Sequence, residues 1–232
     1  MITVRKSEER GVSRIDWLDS RHSFSFGDYY DPAHESFGPL RVINEDWIKG
    51  GAGFPPHPHR DMEIVTYILD GAISHRDSTG GGGTIRPGEI QRMSAGTGIT
   101  HAEFNASASE TCHLLQIWIM PSKKGIAPGY EQKTIDAAAV RNHFARIAAP
   151  EPVANEVRLV QDAEIWAAKL DPDVEAIHCL PPGRKAWLHV ARGEVTVDGQ
   201  TLKTGDAASI TDQDKIAVRS KAPSEVLLFD LA

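Results

Sequence analysis

"YILDGAISHRDSTGGGGTIRPGEIQRMSAG", residues 67–96, reads as a strand, a turn at Gly71, an alternating strand, a glycine-rich turn, and the pair Gly88-Glu89 leading into another strand. The same order returns in "HVARGEVTVDGQTLKTGDAASI", residues 189–210, with its turn at Gly193 and its pair at Gly205-Asp206. Two copies of one supersecondary unit predict two similar β-domains. The runs outside the repeat agree. "LRVINEDWI", "HLLQIWIM" and "EVLLFDL" are short, rich in Val, Ile, Leu and aromatics, and bounded by Gly, Pro, Asn or Asp, which is strand chemistry. Helical signals are few. "DAAAVRNHF" (136–144) predicts a short helix capped by Asp136, and "DAEIWAAKL" (162–170) reads either way. The Pro/Ala-rich stretch "ARIAAPEPVANE" (145–156) predicts the boundary, with one domain over 1–145 and the other over 146–232.

At 232 residues the chain is long enough to bury a substantial core. Its net charge of −7, spread along the sequence, argues against direct nucleic-acid binding. Cys112 and Cys179 sit in apolar runs, too far apart to form a disulfide framework or a zinc motif, and are expected as small buried thiols. The N-terminal "MITVRKSEERGVSR" lacks an apolar signal core, and nothing approaches about 18 consecutive apolar residues. A cytoplasmic protein without a membrane span is expected.

Two histidine pairs carry the chemistry. Residues i and i+2 of a strand share a face, so His57 and His59 in "PPHPHRDME" project together, and the prolines keep the link extended. His101-Ala102-Glu103 repeats the spacing, with Asn105 on the same parity. Three imidazoles and a carboxylate suit a borderline divalent ion and leave coordination positions open for water, O2 or substrate. His22, His34, His143, His178 and His189 have no nearby ligand partner in sequence. His75 is expected to brace a turn with Asp77, and His113 lies on a strand of its own.

These segments resemble a known family. "GAGFPPHPHRDMEIVTYILDG" and "GEIQRMSAGTGITHAEFN" look like the two cupin motifs, and "HRDSTGG", "LQIWIMP" and "WLDSRHSFSFGDYYDP" resemble the pirin family, especially its bacterial quercetin 2,3-dioxygenase-like branch. The resemblance implies an all-β bicupin: two face-to-face antiparallel β-barrels with few short helices, the metal in the N-terminal one. It implies ligands at His57, His59, His101 and Glu103. The general cupin template favours Glu63 as the carboxylate instead, so Glu63 is expected beside the imidazoles as an orienting or proton-passing group, with Glu103 or Glu63 as catalytic base. In the second barrel "PPGRKAW" stands where a His-x-His is expected, so that barrel is expected to be structural. The implied cofactor is one divalent ion, Fe(II) first, with Ni, Cu, Mn, Co or Zn also compatible. The implied activity is cleavage of a flavonol-type small aromatic substrate by O2 with release of CO. The alternative is a non-catalytic iron-binding protein that regulates an enzyme or transcription factor as its partner. Phe54, Met93, Ile117 and the aromatic "FSFGDYY" are candidate cavity walls.

Overall fold

The structure, a computed structural model, describes residues 1–232. It is built from strands, with one three-residue 3-10 turn at Ser7–Glu9 and no α-helix. No helix is long and apolar enough to cross a membrane. The predicted helix after Asp136 is a single turn. Asp136 Oδ1 accepts from the Ala138 N–H at 2.9 Å, as a cap does, but the chain leaves the turn by Arg141. The ambiguous "DAEIWAAKL" is strand from Ala163 to Leu170.

Strand β1 (Ile2–Arg5) is followed by β2 (Gly11–Arg14), β3 (Leu18–His22), β4 (Leu40–Ile48), β5 (Gly53–His59), β6 (Glu63–Asp70), β7 (Ile73–Asp77), β8 (Gly82–Ile85), β9 (Glu89–Ser94), β10 (Ile99–Asn105), β11 (Cys112–Ile119) and β12 (Gly129–Thr134). Then come β13 (Ala145–Ala149), β14 (Val157–Arg158), β15 (Ala163–Leu170), β16 (Glu175–Cys179), β17 (Lys185–Arg192), β18 (Glu194–Val197), β19 (Gln200–Lys203), β20 (Ala207–Ile210), β21 (Lys215–Ser220) and β22 (Ser224–Leu231).

The chain divides into two compact units. One comprises Gly11–Thr134 with Val157–Gln161; the other comprises Met1–Arg10, Ile135–Glu156 and Asp162–Ala232. The Pro/Ala-rich stretch is no linker, because its first residues form β13, which pairs with β15. The first ten residues join the second unit, because β1 pairs antiparallel with β20, Ile2 opposite Ile210.

Each unit combines a larger and a smaller sheet. In the first unit the orders are β12-β9-β6-β11-β4-β3-β2 and β5-β10-β7-β8. In the second they are β1-β20-β17-β22-β15-β13 and β16-β21-β18-β19. Strands β4 through β11 of the first answer in order to β15 through β22 of the second, so the repeat seen in the sequence is a repeat of topology. Gly71 and Gly193 fill the matching turns with φ of 74° and 86°, where a Cβ is disfavoured. Central strands are buried on both faces. "EIVTYILD" of β6 is buried except for Asp70, and "SEVLLFDL" of β22 is buried throughout.

The smaller sheets differ between the units. In β10 the side chains alternate, with Ile99, His101, Glu103 and Asn105 buried and Thr100 and Phe104 exposed. Glu103 lies opposite His75 and Asn105 opposite Ile73 on β7. In the second unit Val218 lies opposite Val197 and Ser220 opposite Val195. Val218 and Val197 therefore stand where the first unit has Glu103 and His75, and Ile216 stands where it has His101. These aliphatic residues fill the second interior with Leu188, Leu202 and Leu228. The strand matching β5 is β16, "EAIHC", rather than the expected "PPGRKAW", which connects β16 to β17. Its His178 is held by Asp230 at 2.9 Å. Cys112 is buried as expected, whereas Cys179 is exposed at the end of β16.

Candidate metal centre

The His57/His59 fork sits on β5, the outermost strand of its small sheet. An edge strand tolerates Pro55, Pro56 and Pro58, which donate no ladder hydrogen bond. Pairing with β10 places His57 opposite His101, and the register then shifts so that Glu103 falls opposite Phe54. The three imidazoles converge. Ring centroids lie 4.8 Å apart for His57–His59, 4.4 Å for His57–His101 and 4.8 Å for His59–His101. One donor nitrogen from each lies within 4.8 Å of the others. Glu103 groups with His101 and His75 under the same limit, but not with the whole imidazole trio.

Two of the rings are oriented from behind. His57 Nδ1 lies 2.8 Å from the Pro55 carbonyl oxygen, which can only accept, so Nδ1 carries the proton and Nε2 keeps its lone pair. His101 Nδ1 lies 3.3 Å from His75 Nδ1, while His101 Nε2 is buried with no hydrogen-bond partner. A buried imidazole nitrogen without a partner is costly in a finished site. Burial and the neighbouring His57 push His59 down to about 4, and burial plus the adjacent imidazoles pushes His101 far below the usual imidazole range. Both rings are neutral at neutral pH, the form that binds a cation. The orphaned nitrogen, the converging lone pairs and the nearby carboxyl together fit a divalent ion.

The imidazoles open into a cavity of about 420 Å³ inside the first unit. Leu18, Phe26, Phe54, Ile64 and Trp118 give it apolar walls, and Ser20, Asn44, Asp46 and Asp28 give it polar ones. Phe54 and the "FSFGDYY" segment, through Phe26, are at the cavity as anticipated. Met93 packs in the core beside Ile64 and Ile99, and Ile117 alternates away between Gln116 and Trp118.

Glu103 is buried, and burial pushes its carboxyl up to about 7 against the opposing hydrogen bond from Gln116 Nε2 at 2.9 Å. Glu63 departs from expectation. Ile64, its neighbour on β6, lines the cavity, so Glu63 projects from the opposite face. Its Oε2 accepts from the Val160 N–H at 3.2 Å, and it contacts none of the imidazoles. The single-residue step along β6 decides this. Asn105 is structural, its amide donating to the carbonyls of Ile48 and Glu110 at 2.9 and 2.8 Å.

His75 braces Asp77 at 3.3 Å as expected, but it also abuts His101. Asp46 and Gln116 were not singled out in the sequence. Each is a polar residue at a core-facing position in an apolar strand, the buried-polar signal that marks function more often than packing does. Asp46 accepts from Ser20, and burial raises it to about 7, with the charge of Glu45 adding to the effect. His22, His34, His113, His143 and His178 have hydrogen-bond partners. His22 lies between Asn44 and Ser13 at 2.7 and 2.8 Å, and His113 meets Glu45 at 2.9 Å.

Residues 3–119 match the pirin family model, and residues 146–231 match the model described as the quercetinase C-terminal cupin domain. The chain belongs to the pirin family. This pirin is 45% identical to the quercetin 2,3-dioxygenase of Escherichia coli K12, over 100% of its own length and 99% of the relative's. It also superimposes on the crystal structure of YhhW from E. coli with a TM-score of 0.96 at 44% identity, covering 100% and 98% of the two chains. The structure of the bacterial pirin YhhW in complex with nickel(II) matches with a TM-score of 0.94 at 44% identity, covering 100% and 99%. The pirin fold of two cupin units is therefore that of this chain.

Proposed function

We propose that this pirin is a metal-dependent dioxygenase of the quercetin 2,3-dioxygenase type, with Fe(II) held by His57, His59, His101 and Glu103 in its first unit and a structural second unit. The observation that carries the reading is the orphaned His101 Nε2 aimed among two further imidazoles at the wall of a roomy cavity. The names of the relatives and the nickel complex of YhhW support it.

A divalent ion in this site supplies Lewis acidity, which lowers the pKa of a hydroxyl bound beside it. The protein's residues do the rest. Leu18, Phe26, Phe54 and Trp118 offer apolar faces to a flat aromatic substrate, and a cavity of about 420 Å³ lies in the usual range for small-molecule sites. Ser20, Asn44 and Asp46 present hydrogen-bonding groups along one wall for the hydroxyls of a polyphenol. In this reading Glu103 takes the substrate's hydroxyl proton, a role supported by the Gln116 hydrogen bond that orients its carboxylate. The apolar walls exclude water from the electron-rich ring, which then reacts with O2 and opens with loss of carbon monoxide.

The deciding experiment loads the metal-free protein anaerobically with Fe(II), adds quercetin, and follows oxygen uptake and CO release together. Stoichiometric uptake and release with the iron form is the expected result. Bound metal without turnover for any first-row ion overturns the enzyme reading and leaves the regulatory one.

A further inference from the structure

Asp77, His75 and His101 form a line that ends at the orphaned nitrogen. His75 Nε2 lies 3.3 Å from Asp77 Oδ2, and His75 Nδ1 lies 3.3 Å from His101 Nδ1. The His75 and Asp77 side chains are both fully buried. We propose that His75 and Asp77 are a positioning pair that fixes the tautomer and ring orientation of His101, so that its Nε2 lone pair is presented to the cation. The proposal rests on the metal reading above and assigns the pair no contact with ion or substrate.

With both imidazoles neutral, only one proton arrangement satisfies both contacts. The Asp77 carboxylate accepts, so His75 carries its proton on Nε2. The His75 Nδ1 is then a bare acceptor, so His101 must donate from Nδ1. That leaves a lone pair on His101 Nε2, the atom without a partner. The other carboxylate oxygen is already committed. Asp77 Oδ1 accepts from the Thr79 N–H at 2.8 Å, the Thr79 hydroxyl at 2.6 Å and the Gly81 N–H at 3.0 Å. Three donors on one oxygen lock the carboxylate and turn the second oxygen toward His75. Tyr130 packs over the His75 ring at a centroid distance of 5.0 Å and limits its rotation.

The pair also accounts for two glycines of the run Gly80–Gly83, Gly81 and Gly83. A Cβ at Gly81 would stand 2.5 Å from Asp77 Oδ2, the oxygen that receives His75. A Cβ at Gly83 would stand 2.5 Å from Gln132 Oε1, the acceptor that the Tyr130 hydroxyl uses at 2.8 Å. Glycine is required where the β7–β8 connection closes over the pair. In the second unit Val197 stands at the position of His75 and Ile216 at that of His101, so the positioning group and the group it positions are replaced together.

The test uses the metal-free full-length chain titrated with Ni2+ by calorimetry, alongside 15N NMR of the imidazoles. In the wild type His101 should carry its proton on Nδ1 before any metal is added. Asp77→Asn and His75→Phe should each weaken Ni2+ binding by about 10- to 100-fold, the usual cost of losing a group behind a ligand. Because both act through His101, the double variant should bind within about threefold of His75→Phe alone, where independent structural defects would add. Gly81→Ala, which leaves every imidazole unchanged, should also weaken binding and disturb the His101 tautomer. A wild-type His101 protonated on Nε2, or an unchanged affinity in both Asp77→Asn and Gly81→Ala, overturns the pair. His57→Ala serves as the control. If it retains nickel, the metal reading fails; if it loses nickel while Asp77→Asn and Gly81→Ala both bind as wild type, only the pair fails.

Discussion

Gln116 Nε2 donates to Glu103 Oε2 at 2.9 Å, and Gln116 Oε1 in turn accepts from the Thr66 hydroxyl at 3.1 Å. A flipped amide would set its oxygen against the Glu103 carboxylate, so the carboxylate holds the amide with its N–H donor toward Glu103. Gln116→Met keeps the volume and removes that donor. The carboxylate loses a charge-assisted hydrogen bond, worth roughly 1.5–3 kcal/mol, and its pKa rises further. The acid limb of the pH profile of kcat/KM should move to higher pH, with activity at pH 7 down by about tenfold. A profile that keeps its acid limb would show that Glu103 does not set it.

Glu63 and Glu103 are separated by the faces they occupy, and parallel variants should show it. Glu103→Gln should lower oxygenase activity further than it lowers metal content measured by mass spectrometry if the residue, beyond neighbouring the cation site, acts as the proposed base. Equal losses would restrict it to holding the ion. Glu63→Gln should leave metal content at the wild-type level, since Glu63 binds the Val160 N–H and no imidazole.

His57→Ala removes a half-buried ring whose Nδ1 bonds only to the nearby Pro55 carbonyl. Metal content should fall by about tenfold or more while the metal-free melting temperature changes by only a few degrees, roughly the shift of a substitution outside the packed core. Full metal content in this variant would refute the fork.

Asp46 gives a pH signature in the metal-free protein. Its folded pKa of about 7 lies above the ordinary 3.8, so between those values the folded state holds a proton that the unfolded chain has released. That contribution to stability is present below about pH 4 and is lost as pH rises through 7. Asp46→Asn keeps the neutral form at every pH. Its stability relative to wild type should therefore rise between pH 4 and 8, by an amount on the order of 4 kcal/mol. Urea unfolding across that range measures it, and parallel curves for the two proteins would contradict a buried, neutral Asp46.

Much of this architecture was readable in the residues. The Gly-turn repeat gave the duplicated topology because a turn requiring positive φ leaves the same mark twice. The parity of "HPH" and "HAE" brought three imidazoles together because strand alternation is geometric. Glu63 was misplaced for the converse reason: parity within a strand is meaningful only once the faces of that strand are assigned, and β6 is buried on both. His75 could not be recognised as a neighbour of His101, because their meeting depends on the β7–β10 pairing across 26 residues of sequence. The helix after Asp136 failed because a good cap was followed by too few residues that tertiary packing could use.

Because β1 is hydrogen-bonded to β20, it finds its partner only after some two hundred further residues have been made. Closing so long a loop is slow, and until then β1 stays without its sheet neighbour. The first unit, Gly11–Thr134 with Val157–Gln161, does not contain that strand and can complete its sheets while the remainder is still being translated. Deleting β1 should therefore disturb the maturation of the second unit and spare that of the first.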